Sequence, residues 1–328
     1  MDVKSNQHVT ITGGLGFIGS NLAQRLVDGN SEITVIDSCM AGYGANMFNI
    51  NGIEEDIEYI NADVRNKEDI DHIIKQSDIV YHLAAQLSRP ESNREPIKDN
   101  EINCRGLLNI LTAAKEADNP PKIVFTSSQA VVGSPDNLPI DEDTPPNPLD
   151  IYGANKYAGE NYCKIFHDVH DVPTVVLRLT NVYGPRAQLS NPNYGVIQKF
   201  IKLSLLDEKI PVFRPGTMTR DLIYVDNVVD SLITVAKSEK TTGEKYMVGS
   251  GEKIQVKELA EQIVDISESG TVEVVDWPDD WDSIRIGDLY SDPSKLVSET
   301  NWEPQIDITE GLEQTIQFYN KNIDEYID

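Results

Sequence analysis

The stretch VTITGGLGFIGSN, Val9 to Asn21, decides the fold. A β-branched apolar run ends at Thr12, and a helical pattern opens near Phe17 and Ile18. Between them Gly13, Gly16 and Gly19 recur at every third position. Missing side chains at such a turn let backbone N–H groups approach an anion at the helix N-terminus, where the helix dipole also favours negative charge. A pyrophosphate is the anion that strand–turn–helix units of this kind accept. The spacing G-x-x-G-x-x-G departs from the fingerprint G-x-G-x-x-G, and glycines also serve ordinary tight turns, so context has to decide. The next strand, EITVID, closes on Asp37, near the place where a carboxylate takes ribose hydroxyls. Its charge repels a 2′-phosphate, and the segment SCMAGYGANMFN that follows holds no lysine or arginine to receive one. The cofactor implied is NAD rather than NADP.

Outward from this turn, short β-branched runs alternate with helical patterns: EITVIDS, IEYINAD, DIVYHLAA, KIVFTSS and PTVVLRLTNVYG are the runs. That alternation predicts an α/β fold, a doubly wound parallel (Rossmann) sheet covered on both faces. We place the dinucleotide-binding domain at 1–184, with 221–248 returning to it as a strand and helix (DLIYVDNVVDSLITVAKSE). The rest of 185–328 reads as a smaller α+β lobe that binds substrate across a shared cleft.

Composition narrows the function. The chain has 328 residues, 39% of them hydrophobic, enough for one large or two modest cores. With 54 acidic against 28 basic residues the formal charge is −26, which argues against nucleic acid or an anionic membrane as partner. So large a carboxylate excess suits a host with high internal salt, where repulsion is screened. No apolar run approaches the roughly 18 residues of a membrane helix, and no signal-peptide pattern follows MDVKSNQH, so a cytoplasmic protein is expected. Cys39, Cys104 and Cys163 are odd in number and widely spaced, which suggests neither disulfides nor a zinc site.

A second constellation carries chemistry. In IYGANKYAGE, Tyr152 and Lys156 stand four apart on one face of a predicted helix. The strand before it, KIVFTSS, delivers Ser127 and Ser128 to the sheet edge where doubly wound folds bind ligands. An ammonium beside a phenol favours the phenolate, lowering its pKa toward a range useful for a general base, and a serine hydroxyl can share the substrate proton. Of ten arginines, Arg186, Arg214, Arg220 and Arg285 fall in the predicted substrate lobe. Guanidinium forks suit a diphosphate, although Arg186 and Arg214 equally suit pairing with surplus carboxylates.

Taken in order, TGGLGFIGSN, HLAAQ, TSSQAVVG, YGANK, NVYGPR, RDLIYVDNVV and DPSKLVSETNWEP resemble the extended short-chain dehydrogenase/reductases, specifically the NAD-dependent nucleotide-sugar epimerases and dehydratases of the UDP-glucose 4-epimerase kind. The resemblance implies that Gly13, Gly16, Phe17, Ile18, Gly19 and Asp37 hold NAD, that Asp63 and Val64 meet the adenine, and that Leu83, Ala84 and Ala85 pass beneath the cofactor. It makes Ser128 the catalytic hydroxyl, Tyr152 the base and Lys156 its partner on the nicotinamide ribose. Asn181 would touch the sugar nucleotide, and Arg220 and Arg285 would grip its diphosphate. The implied reaction abstracts the proton of the sugar 4-hydroxyl, forms a 4-keto sugar and returns the hydride to its other face.

Two departures from the family pattern stand out. Val132 replaces the usual tyrosine of VYG, at a position expected to wall the cofactor pocket. Gln129 and Ala130 stand where 4,6-dehydratases carry an Asp-Glu pair and decarboxylases a Glu, which favours plain epimerisation. MAGYGANMFNINGI resembles CDP-sugar 2-epimerases, so the base stays open, as do UDP-glucuronate and N-acetylated sugars. QLSNPNYGVIQKFI is expected to cover the base. The helical stretches IKDNEINCRGLLNILTAAKEA and DIYGANKYAGENYCKIFHDVH form the dimer face in relatives, which implies a homodimer. A rival of another class is an NAD-binding sensor without chemistry; sensors of that kind lack the Tyr, Lys or Ser that are present here.

Overall fold

The computed structural model describes residues 7–191, 195–277 and 287–327. Seven strands form one sheet in the order Lys245–Val248, Thr174–Leu179, Lys122–Ser128, Ile79–His82, His8–Thr12, Glu32–Asp37, Ile57–Asn61. Every neighbouring pair is parallel. The four residues of Ile79–His82 and the six of Thr174–Leu179 are all buried, as strands covered on both faces are. Ile57–Asn61 has no buried residue and forms one edge.

His8–Thr12 pairs with Glu32–Asp37 on one side and Ile79–His82 on the other. The order reverses here, and the crevice beyond the carboxyl ends of these strands is where such sheets take ligands. One apolar cluster runs from Val9 and Ile11 through Val228 and Leu232 to Phe200, Leu259 and Leu312, so sheet and second lobe share a core.

The lobe pairs Lys209–Phe213 with Thr271–Val275 in parallel, and Thr219–Arg220 with Ile254–Gln255 antiparallel. The helices Val196–Leu205, Val256–Ser267 and Ile308–Asn322 pack around them. Two segments differ from the sequence expectation. The run PTVVLRLTNVYG breaks at Thr180, and its second part, Asn181–Tyr183, pairs with Leu222–Tyr224 outside the main sheet. The strand that rejoins the sheet is therefore Lys245–Val248, while the helix Val225–Lys237 packs against it. The three cysteines are free, and among the described residues no helix is long and apolar enough to cross a membrane.

Candidate active site

The glycine turn spans the end of His8–Thr12 and the start of the helix Phe17–Leu26. Gly13 adopts φ +72°, and a Cβ there would lie 2.7 Å from the Ala84 nitrogen; one on Gly19 would lie 2.3 Å from the Gly13 carbonyl. These two are demanded by the protein's own packing. Gly16 is demanded less: the one atom near its Cβ position is the Gly13 carbonyl at 3.2 Å, a tight contact that a shift of a few tenths of an ångström would relieve. Gly16 lines the cleft, so its bareness leaves a cradle that a side chain would fill, at the N-terminus of a helix with no side-chain cap.

The cleft has a volume of about 330 Å³. Gly13, Gly16, Phe17, Ile18 and Gly19 line it, as do Asp37 at the end of Glu32–Asp37 and Asp63 and Val64 beyond Ile57–Asn61. Leu83, Ala84 and Ala85 line it beyond Ile79–His82. Asp37 accepts from the Leu15 and Cys39 N–H groups at 3.2 and 3.0 Å, yet burial still raises its carboxyl above the ordinary value. Partial burial works on Asp63 too, but Arg65 grips both its oxygens and holds its carboxyl low. Lys156 is the one cation among the lining residues described. Among the described lining residues no cation follows Asp37 to receive a 2′-phosphate, and the site fits NAD.

Ser128, Tyr152 and Lys156 come together on the opposite wall. Asp150 caps the helix Ile151–His170 by accepting from the Gly153 N–H at 2.8 Å, and the Tyr152 N–H donates to the Ser92 hydroxyl at 3.1 Å, which fixes where that helix begins. Tyr152 and Lys156 then lie one turn apart, both buried. The Lys156 ammonium donates to the Thr126 carbonyl at 2.9 Å and sits 5.9 Å from the centre of the Tyr152 ring.

The electrostatics correct the expectation that the ammonium lowers the phenol. Burial pushes Tyr152 up to about 12, against a hydrogen bond from Ser128 and the pull of Arg89, with Asp150 and Asp99 adding to the rise. Burial brings Lys156 down to about 8, opposed chiefly by Asp99. Desolvation dominates both shifts, and the phenol of the protein alone is a weak acid.

Sequence reasoning missed the groups behind these three. Arg89 pairs with Asp150, whose side chain is fully buried. Asp99 accepts from Asn155 at 2.6 Å and Gln86 at 2.9 Å. Ser127 donates to Glu160 at 2.6 Å, and the fully buried Arg178 clasps the same carboxylate at 2.7 and 2.8 Å. Of these, only the cap at Asp150 carried a local signal, an Asp just before a helical pattern.

The second lobe is less complete. Asn181 lines the cleft and donates to the Asp221 carbonyl at 2.8 Å. Arg220 stands outside the cleft lining and donates to the Thr219 and Gly287 carbonyls, both at 2.7 Å. Arg285 lies outside the described residues, as does part of the loop QLSNPNYGVIQKFI. Arg214 pairs with Asp276 on the surface, as the carboxylate-pairing reading expects, whereas Arg186 donates to the Asn21 amide oxygen at 2.9 Å and lies over the Phe318 ring, a contact that neither reading anticipated. Val132 does not wall the cofactor pocket: it is fully buried with Ile140, Met247 and Leu289.

Comparison with known proteins agrees with this geometry. Residues 9–249 match the NAD dependent epimerase/dehydratase family. A protein of Methanocaldococcus jannaschii provisionally named UDP-glucose 4-epimerase is 35% identical over 96% of this chain and 99% of its own. A UDP-N-acetyl-alpha-D-glucosaminuronate decarboxylase of Bacillus cytotoxicus is 30% identical over 95% of this chain and 97% of its own. The solved UDP-N-acetylglucosamine 4-epimerase of Methanobrevibacter ruminantium superposes with TM-score 0.89 at 32% identity, covering 98% of this chain and all of that one. With its parallel sheet, glycine turn and Ser–Tyr–Lys wall, the chain belongs to the NAD-dependent epimerase/dehydratase family of nucleotide-sugar enzymes.

Proposed function

We propose that the chain inverts C4 of a nucleoside-diphosphate sugar of the UDP-glucose/UDP-galactose type through a transient 4-keto sugar. One observation carries this reading: Ser128, Tyr152 and Lys156 meet on the cleft, and the two positions after Ser128 hold Gln129 and Ala130. The carboxylates that line the cleft, Asp37 and Asp63, follow strands on the other side of the switch point. Loss of water across C5 and C6 calls for an acid like the Asp-Glu pair of the dehydratases, and among the described lining residues no carboxylate stands beside Ser128.

Bound NAD supplies a hydride acceptor that can give the hydride back and, when oxidised, a positive charge. Tyr152 takes the proton of the 4-hydroxyl, Ser128 shares it, and Lys156 holds the nicotinamide ribose. Asp37 takes the adenosine ribose, Asp63 and Val64 meet the adenine, and Leu83 to Ala85 form the floor. Asn181, Arg220 and Arg285 hold the sugar nucleotide.

UDP-, CDP-, GDP- and dTDP-sugars, UDP-N-acetylglucosamine and UDP-glucuronate among them, incubated with the protein and read by NMR, test the reading. Inversion at C4 of a UDP-hexose supports it. A 4-keto-6-deoxy product, loss of carbon dioxide or inversion at C2 refutes it, and no product with any sugar favours the sensor. Tyr152→Phe should lose several orders of magnitude in turnover while retaining NAD. The reading includes a cytoplasmic homodimer. Ile97 on the helix Pro96–Asn100, with Tyr157, Ile165 and Val169 on Ile151–His170, exposes apolar side chains that a second copy would cover. Light scattering at matched salt tests it.

A further inference from the structure

We propose that Asn49 and Tyr326 are positioning residues that fasten the glycine turn and thereby slow the release of NAD. Neither lines the cleft. Asn49 is fully buried in the short helix Met47–Ile50. Its Nδ2 donates to the Leu15 carbonyl at 2.8 Å and the Arg186 carbonyl at 3.3 Å, and its Oδ1 accepts from the Tyr326 hydroxyl at 2.6 Å. Asn46 repeats the pattern: its N–H donates to the same Leu15 carbonyl at 3.1 Å, and its side chain to the Glu325 carbonyl at 2.8 Å.

Leu15 lies between Gly14 and Gly16, and its own N–H donates to the Asp37 carboxylate. The turn is thus tied at one residue, Leu15, through its N–H to the Asp37 carboxylate and through its carbonyl, by way of segment 46–49, to segment 325–326. The Tyr326 ring is held edge-on among Phe48, Phe318 and Tyr319, and Tyr319 donates to the Ala187 carbonyl at 2.5 Å. Backbone donors bind an anion best when already fixed, since binding then has no loop to order. Loosening this clasp therefore acts mainly on the off-rate.

The inference rests on NAD dependence and not on which sugar is turned over. NAD-loaded protein is diluted into a nucleotide-degrading trap, and the protected NAD is followed by chromatography. Tyr326→Phe removes one donor and keeps the ring, and should speed release roughly fivefold; Asn49→Ala also strips the Leu15 carbonyl of its side-chain donor, leaving it the Asn46 N–H alone, and should speed release at least tenfold. Tyr246→Phe is the control, since it removes a comparable bond, to Glu299 at 2.5 Å, on a strand at the far edge of the sheet. Release at the wild-type rate in Tyr326→Phe, or equal acceleration in Tyr246→Phe, overturns the proposal. If Asn49→Ala fails to fold, Tyr326→Phe against Tyr246→Phe decides. Wild-type retention is read in the same run, so a failure of the cofactor assignment appears there and not in the ratio between variants.

Discussion

Replacing Ser128 by alanine should move the pH dependence of turnover, by an amount the site sets. In the protein alone burial holds the Tyr152 phenol at about 12, opposed chiefly by the Ser128 hydroxyl and then by Arg89. At pH 8 such a phenol lies about four pH units from half-ionisation, roughly 5 kcal/mol. A hydrogen bond to a charged group contributes about 1.5–3 kcal/mol, so losing Ser128 should raise the Tyr152 pKa by roughly one to two units. Below its pKa a general base is used in proportion to its ionised fraction. Ser128→Ala should therefore lower kcat about 10- to 100-fold at neutral pH, and the rising limb of kcat against pH should shift upward by the same one to two units. The assay is initial-rate epimerisation of the sugar found in the panel, from pH 6 to pH 10, with bound NAD measured in parallel. An unshifted limb with reduced kcat would refute the reasoning, because Ser128 would then act on substrate alone.

Gly16→Ala should fold at a smaller cost in stability and weaken NAD binding tenfold or more, whereas Gly13→Ala, with a Cβ 2.7 Å from the Ala84 nitrogen at φ +72°, should lower stability by about 2 kcal/mol or more; calorimetric titration and denaturant midpoints separate the two. Unchanged affinity in Gly16→Ala would remove the cradle argument. Burial lowers Lys122 to about 8, so below pH 8 it is charged in folded and unfolded chains alike and the full penalty of burying it is present. Between about pH 8 and 10 the folded state sheds that proton first, and stability should rise, by up to roughly 3 kcal/mol, with Lys122→Met flattening the rise in denaturant midpoints. At a formal charge of −26, the thermal midpoint should climb steeply from low to molar salt; a flat response would remove the high-salt host from consideration.

The parts of the molecule legible in its sequence are those whose physics is local. The glycine turn shows because it joins a strand to a helix within one segment, and Asp37 because it closes the very next strand. Tyr152 and Lys156 show because a helix turns once in 3.6 residues. Glycine spacing, however, could not separate the positions where packing leaves no room, Gly13 and Gly19, from Gly16, where the contact is tight but lies against a single carbonyl. Arg89 and Asp150 meet across 61 positions of chain, and Tyr326 and Asn49 across 277, and no pattern in either segment announces its partner. Val132 illustrates the same limit, since a family position says where a residue stands in the chain and not which side of the sheet it faces.

The largest error, the acidity of Tyr152, follows from that limit and alters how the site works. A sequence places an ammonium four residues from a phenol, but it cannot say that both are buried. Burial opposes charge on each, so the pair as folded tends toward neutrality from both sides, with the phenol near 12 and the ammonium near 8. Lys156 spends its proton on the Thr126 carbonyl, and Asp99, fully engaged by Asn155 and Gln86, keeps that lysine from falling further. The remaining stabilisation of a phenolate, several kcal/mol at neutral pH, has to arrive with whatever fills the cleft, and opposite charge placed at about 4 Å supplies that amount at the effective dielectric of a protein site. The base is therefore latent in the protein alone and becomes competent only when the cleft is filled, so Tyr152 should titrate near its high value in the cofactor-free protein and well below it in the loaded one. Ultraviolet difference titration of wild type against Tyr152→Phe, in both states, measures this, and equal values in the two states would show that the protein, not its ligands, sets the acidity.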